Sequence, residues 1–233
     1  MSVGSYVEVA TSGLFWQSLK TTLAVAVSAS ILSLLIGFVI ALHLARQPPR
    51  RRILLTALIL VPFWTSILVK CFAFTIFLGR EGVLNTALSW IFETKIELPL
   101  LFNRVGLLVG MTNFLIPLAT LPVLASLLAI DGTIYHAASV MGAKPGRIFW
   151  TVTVPLALPG IFVAFFSIFV MSLGFFVVPA LLGGPQDQML SSLIDFYNRQ
   201  VLDWPQASAI SVVLLAMVAF IAIPMALWRR HQG

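Results

Sequence analysis

The sequence predicts an all-α, polytopic membrane helical bundle of about five spans. Three observations carry that prediction. Hydrophobic residues make up 60% of the chain and charged residues only 9%, where soluble domains carry about a quarter charged. The apolar residues fall in runs long enough to cross a bilayer, which takes about 20 of them in a helix. The charges fall between those runs, and the two sides share them unequally. A soluble globule is excluded on this composition, and one transmembrane domain over residues 1–233 is expected.

Residues 1–16 are mildly polar, with Glu8 and no Lys or Arg. Met1 to Gln17 has neither a basic n-region nor an early apolar core, so no cleavable leader is expected. The first span runs from about Leu19 to Ala45. Its small residues, Ser28, Ala29, Ser30 and Gly37, allow close helix packing. His43 near its end has no second metal ligand nearby in sequence and reads as an interfacial residue; no metal site is expected. Arg46, Arg50, Arg51 and Arg52, with Pro48 and Pro49, make a basic turn of the kind that marks the cytoplasmic side. Spans flank it closely on both sides, which argues for topology and against a nucleic-acid patch.

The second span covers about Ile53 to Leu78 and should kink at Pro62. Phe63, Trp64, Phe72, Phe74 and Phe77 make it aromatic. Lys70 lies inside it, where a charge is expensive and often functional. Two readings stand. Leu78 is eight residues on, about 12 Å along a helix, so the lysine stem can snorkel toward the interface or reach a partner. Alternatively, the ammonium lines a path. The single Cys71 excludes an intrachain disulfide and reads as a packed thiol.

Gly79 to Arg104 is external on this topology. Val83, Leu84, Ala87, Leu88, Ile91 and Phe92 repeat at helical spacing, which predicts a short helix lying in the interface. The third span, about Val105 to Ala129, holds a GxxxG at Gly106 and Gly110 and two prolines, Pro117 and Pro122, that predict bends. The fourth runs from about Ile148 to Val178, with Pro155 and Pro159 near its start. Leu181 to Gln206 is external. The fifth, about Ala207 to Leu227, closes at an inner interface with Trp228, Arg229, Arg230 and His231.

The charges test this arrangement. On the inner side stand eight basic residues, Arg46, Arg50, Arg51, Arg52, Lys144, Arg147, Arg229 and Arg230, against Asp131 alone. Five basic residues face seven acidic ones on the outer side, and Lys70 completes the net charge of +6. That asymmetry places the N-terminus outside and the C-terminus in the cytoplasm. The positive charge is therefore topological, not a polyanion-binding surface.

Between the third and fourth spans lies the most informative stretch, 131–147. Asp131 can cap a helix by accepting from its first free N–H groups. Ile134, Ala137, Ala138 and Met141 fall on one apolar stripe, and Tyr135, His136 and Ser139 fall off it. Gly142 suits a left-handed helix stop, and Pro145 suits the first turn of the next helix. On pattern alone, an ordinary connector and a docking helix both remain open.

Ala137-Ala138, Gly142 four residues later, and Val152-x-Val154-Pro155 resemble the "EAA" loop of importer-type ATP-binding-cassette permeases. The spacing matches at every position; His136 stands where that family has Glu, and the two valines where it has Ile and Leu. The blocks LILVPFWTSILVK, LGREGVLN, PALLGGPQDQML and DWPQASAIS resemble the spermidine/putrescine branch. This likeness covers roughly Leu19 to Arg230. The family usually has six spans with both ends cytoplasmic, so the five counted here lack its first.

The resemblance implies a type I importer permease fold with a cytoplasmic coupling helix. It implies a subunit that moves a small solute, a polyamine such as spermidine or putrescine or another solute of a related branch, across the bacterial inner membrane by alternating access. Its partners would be a second permease, homologous or identical, two ATPase subunits and a periplasmic or extracellular solute-binding protein. Ala137, Ala138 and Gly142 would shape the coupling helix, and Tyr135, His136 and Met141 would contact the ATPase. Phe63, Trp64 and Lys70 would be path residues. A polyamine favours aromatic faces, whereas Lys70 would repel it.

The chain's own chemistry agrees. It has no phosphate-binding loop, so ATP and Mg belong on the partner and no cofactor is expected here. No carboxylate lies within a span, which argues against an acidic proton relay. No catalytic set is visible, which weighs against a membrane-embedded enzyme. A scaffold without transport is the remaining alternative. Five helices are few to line a path and shield it from lipid, so a second permease and the bilayer itself are expected neighbours; nucleic acid is not.

Overall fold

The computed structural model describes residues 3–95 and 97–230, and the backbone alone over 3–5 and 224–230. The described residues form helices joined by turns, with no strand among them. Four helices are long and apolar enough to cross a membrane, or five if one broken pair counts as a span. Of the inner-interface residues expected after the last span, 228–230 lie in the backbone of the final helix, and His231 lies outside the described residues.

Helix α1 covers Val3–Thr11 and α2 covers Gly13–Ala45. The 33 residues of α2 make about 50 Å of helix, well beyond the roughly 30 Å of bilayer hydrocarbon. Helix α3, Pro49–Trp64, opens on a proline whose missing N–H is not needed there.

The single second span expected over 53–78 is instead two helices, α3 and α4, Ile67–Leu78. Pro62 removes one backbone donor and crowds the preceding turn, and α3 ends two residues later. Ser66 then adopts φ −52°, ψ 131°, and its carbonyl accepts from the Lys70 N–H at 3.1 Å to begin α4. The short helix expected between the second and third spans forms: α5, Val83–Phe92, has 10 residues, about 15 Å, too short to span. Buried Asn85 closes its loop. Its amide donates to the carbonyls of Gly79 and Leu98, each at 3.0 Å, and its Oδ1 accepts from the Leu98 N–H at 3.0 Å.

Helix α6, Arg104–Leu128, runs unbroken through Pro117 and Pro122. After it come α7, Gly132–Val140, and α8, Pro145–Ile148. A π-helical segment, Phe149–Thr153, leads into α9, Val154–Leu173. The fourth span therefore stops at Leu173, not at Val178, because the chain leaves the helix at Gly174. It resumes as α10, Val177–Leu182, and α11, Leu190–Phe196. A second π segment, Tyr197–Val201, precedes α12, Trp204–Arg230. Asp203 caps α12, its Oδ1 accepting from the Gln206 N–H at 3.1 Å, and Pro205 occupies the first turn.

The helices gather into two compact units. The first takes in 65–113 with the residues up to 29 and from 169 on. Its core includes Val9, Phe15, Leu190, Leu193, Ala209 and Ile210, so α1 and α11 both pack on α12. The GxxxG of α6 is satisfied inside this chain: a Cβ built on Gly110 would sit 2.5 Å from Leu182 Cδ1 and 2.9 Å from Val178 Cγ1, both on α10. Arg104 Nε donates to Asp187 Oδ1 at 2.9 Å, and the Gly184 N–H donates to Oδ2 at 3.3 Å, which ties the Gly-Gly-Pro turn to the start of α6. The Asp187 side chain is 8% exposed and that of Arg104 49%. Replacing Asp187 by Asn weakens a charge-assisted bond that is half open to solvent. We expect a loss of about 1 kcal/mol, read as a lower thermal midpoint in detergent.

The second unit covers 30–64 and 114–168. Ala41, Leu44, Val123, Leu124, Leu127, Ala157 and Ala164 form its buried seam. Small residues let the three long helices meet there. A Cβ on Gly37 of α2 would lie 3.0 Å from Ala119 Cβ of α6, and one on Gly160 of α9 would lie 2.4 Å from Ser126 Cβ.

Candidate functional site

The segment after α6 folds locally, for reasons visible in its residues. Asp131 takes extended backbone and its Oδ1 accepts from the Thr133 N–H at 2.9 Å. That backbone bond, helped by the Thr133 side chain, holds the carboxyl below the usual aspartate range. The cap is therefore fully formed at neutral pH and is lost only as the pH falls through that lowered value. At the other end, Gly142 has φ +79°. Its N–H reaches the Ser139 carbonyl at 2.9 Å and the Ala143 N–H reaches the Ala138 carbonyl at 3.1 Å. Both bonds together are the Schellman stop that a left-handed residue permits.

A Cβ on Gly142 would meet nothing within 4 Å, so backbone strain alone opposes a side chain there. Gly142→Ala should cost about 1 kcal/mol of local stability. The check is faster amide exchange over 136–143, with little change in the global melting midpoint.

The two faces of α7 differ. Tyr135 and Ala138 are half-buried, and Tyr135 and Ser139 line a cavity of about 550 Å³ within the second unit. The Thr153 hydroxyl lies 3.3 Å from the Tyr135 hydroxyl, which links α7 to the π segment. The opposite half carries exposed His136, Ala137, Val140 and Met141, the last two 89% and 87% exposed. The stripe read from the sequence is thus split. Ala138 turns inward, whereas Ile134, Ala137 and Met141 stay outward, and Tyr135 faces its own chain. Val140, absent from that stripe, is the most exposed apolar residue of α7. A 9-residue helix has too few turns for periodicity to say which face its neighbours will cover.

The π segment has a local cause. Pro155 has no N–H to give and its ring crowds the carbonyl one turn back. Just before it, the helix widens, and the Val154 N–H reaches back to the Phe149 carbonyl, an i→i−5 bond. Such bulges recur at functional places in helices. Trp150, 69% exposed, projects from it.

The proposed path residues divide. Phe63 stacks on Phe114 with centroids 5.3 Å apart, and edge-on against Trp64 at 6.4 Å. Trp64 is 83% exposed. Both belong to the second unit. Lys70 lies half-buried on α4 in the first.

Comparison with known proteins now bears on this arrangement. The model of a family described as "Binding-protein-dependent transport system inner membrane component" matches residues 15–232. The chain belongs to this family. It is a permease of the ATP-binding-cassette importer class, and its relatives are transport components of the inner membrane.

Among relatives of this permease is the spermidine/putrescine transport system permease protein PotB of Escherichia coli, 28% identical over 219 residues, 94% of this chain and 79% of that one. The corresponding protein of Haemophilus influenzae is 30% identical over 89% of this chain and 74% of its own length. The molybdenum transport system permease protein ModB of Mycobacterium bovis is 26% identical, over 88% and 76%. In fold, the permease resembles a chain of a bacterial alginate ABC transporter, with a TM-score of 0.76 at 21% identity, over 95% of this chain and 81% of that one. It also resembles a chain of the MetNI methionine ABC transporter, with a TM-score of 0.69 at 18% identity, over 96% and 99%. These solved neighbours are parts of ABC transporters, so the all-helical bundle read from composition is the type I importer permease fold.

Proposed function

We propose that the chain is the permease subunit of an ATP-driven importer for a polyamine of the spermidine/putrescine type. The observation that carries the reading is α7: a short helix, capped at both ends, whose outward face bears Val140 and Met141, left largely uncovered by the described residues. An apolar face of that kind marks a protein contact. ATPase subunits dock there, with His136, Ala137 and Met141 in contact and Gly142 setting the end of the helix. Tyr135 instead passes motion inward through Thr153 to the π segment and α9. Two ATPase subunits with their own ATP and Mg, a second permease and an external solute-binding protein complete the assembly. The charge asymmetry supports an external N-terminus and a cytoplasmic α7. Relatives named for spermidine and putrescine support the cargo, and Phe63 and Trp64 supply aromatic faces for an organic cation.

A second cargo reading is favoured by Lys70, a cation within a span, and by the molybdenum-transport relative: a small anion. Both are tested by ATP-dependent uptake into proteoliposomes holding the whole assembly. Labelled spermidine accumulates if the polyamine reading holds. Uptake of molybdate but not spermidine would replace it, and uptake of neither would remove both.

A further inference from the structure

We propose that the cavity on the inward side of α7 binds one anionic phospholipid. It lies wholly within the second unit, and its volume of about 550 Å³ falls in the range of built small-molecule sites. Much of its wall is apolar: Leu42 and Ala45 from the last turn of α2, Leu127 and Leu128 from the last turn of α6, Ile148 at the end of α8 and Phe149 just after it. Arg46 stands on its lining, exposed, and makes no ion pair among the described residues. The hydroxyls of Tyr135, Ser139 and Thr153 add polar groups to the same wall.

This is a largely apolar cavity with one cation and three hydroxyls on its lining, and the charge it complements is negative. Two span ends form it beside the basic turn Arg50 to Arg52, so it opens at headgroup depth. Basic pockets between spans at that depth hold anionic lipid heads. A docked protein is a poorer fit. At 100° per residue, Tyr135 and Ser139 lie about 100–160° around α7 from exposed Val140 and Met141. Partner and lipid would thus take opposite faces of one helix. The lipid would brace α7 against the ends of α2 and α6. Lipid binding here is independent of the cargo and of which subunit docks.

The test is native mass spectrometry of the purified full chain with its co-purifying subunits, delipidated and titrated with phosphatidylglycerol or phosphatidylcholine. One phosphatidylglycerol per copy of this chain should be retained in preference to phosphatidylcholine. Arg46→Gln should weaken that retention about fivefold, the worth of one basic residue near a headgroup. Ala45→Phe, which fills the slot, should abolish it without removing a charge. Replacing Arg50, Arg51 and Arg52 together by Gln should leave the single retained lipid in place. Equal retention of the two lipids, or unchanged retention in both Arg46→Gln and Ala45→Phe, would overturn the proposal. So would inorganic phosphate displacing the lipid, or an ATPase subunit cross-linking to Ser139→Cys, since each gives the cavity another occupant.

Discussion

Replacing Met141 by glutamate is expected to separate this permease from its ATPase while leaving its own fold intact. The side chain is 87% exposed, so the permease loses no core contact and its melting midpoint should shift by no more than about 0.5 kcal/mol would produce. At a docked interface the same change buries an unpaired carboxylate where a thioether packed. Loss of such a central apolar contact costs about 2 kcal/mol or more, roughly thirtyfold in affinity. ATP-driven uptake should fall to background, and the ATPase should wash off during affinity purification. Val140→Glu should behave alike. A Met141→Glu transporter that keeps its ATPase at the level of the parent would dismiss α7 as the docking element.

The second large effect lies in the helix seam. Gly160→Val should prevent stable folding of the second unit. A Cβ there would sit 2.4 Å from Ser126 Cβ and 2.8 Å from the Pro122 carbonyl oxygen. That oxygen belongs to the backbone of α6 and cannot rotate aside, so α6 and α9 must part. Ala157 and Ala164, one turn to either side, have no exposed surface, so separation opens the whole seam. Overpacking by single methylene groups costs about 1–3 kcal/mol, and a valine adds three carbons. The expected outcome is little monodisperse protein in detergent, or a midpoint lowered by many degrees. Gly146, whose built Cβ meets nothing within 4 Å, is the control: Gly146→Val should change stability by no more than about 0.5 kcal/mol. Equal behaviour of the two variants would refute the seam.

The docking helix and the helix seam were displayed unequally by the sequence. Asp131 as a cap, Gly142 as a left-handed stop and Pro145 as a helix starter were all legible, because each acts within one turn of its own backbone. The short helix α5 was legible too, from its apolar spacing and its length. The GxxxG could be seen, but not its partner; only packing shows that Gly106 and Gly110 meet the end of α10 and not a second chain. Pro62 announced a kink and could not say that the helix would stop and restart at Ser66.

By itself, the sequence determined that this protein is helical, that it lies in a membrane and that it belongs among importer permeases. Bilayer hydrocarbon demands long apolar runs, and caps are local chemistry. Tertiary structure alone decided which face of α7 is covered, that Tyr135 reaches Thr153 and that span ends enclose a cavity beside Arg46. Those facts depend on residues of different helices arriving at one place, and periodicity within a single helix carries no record of its neighbours.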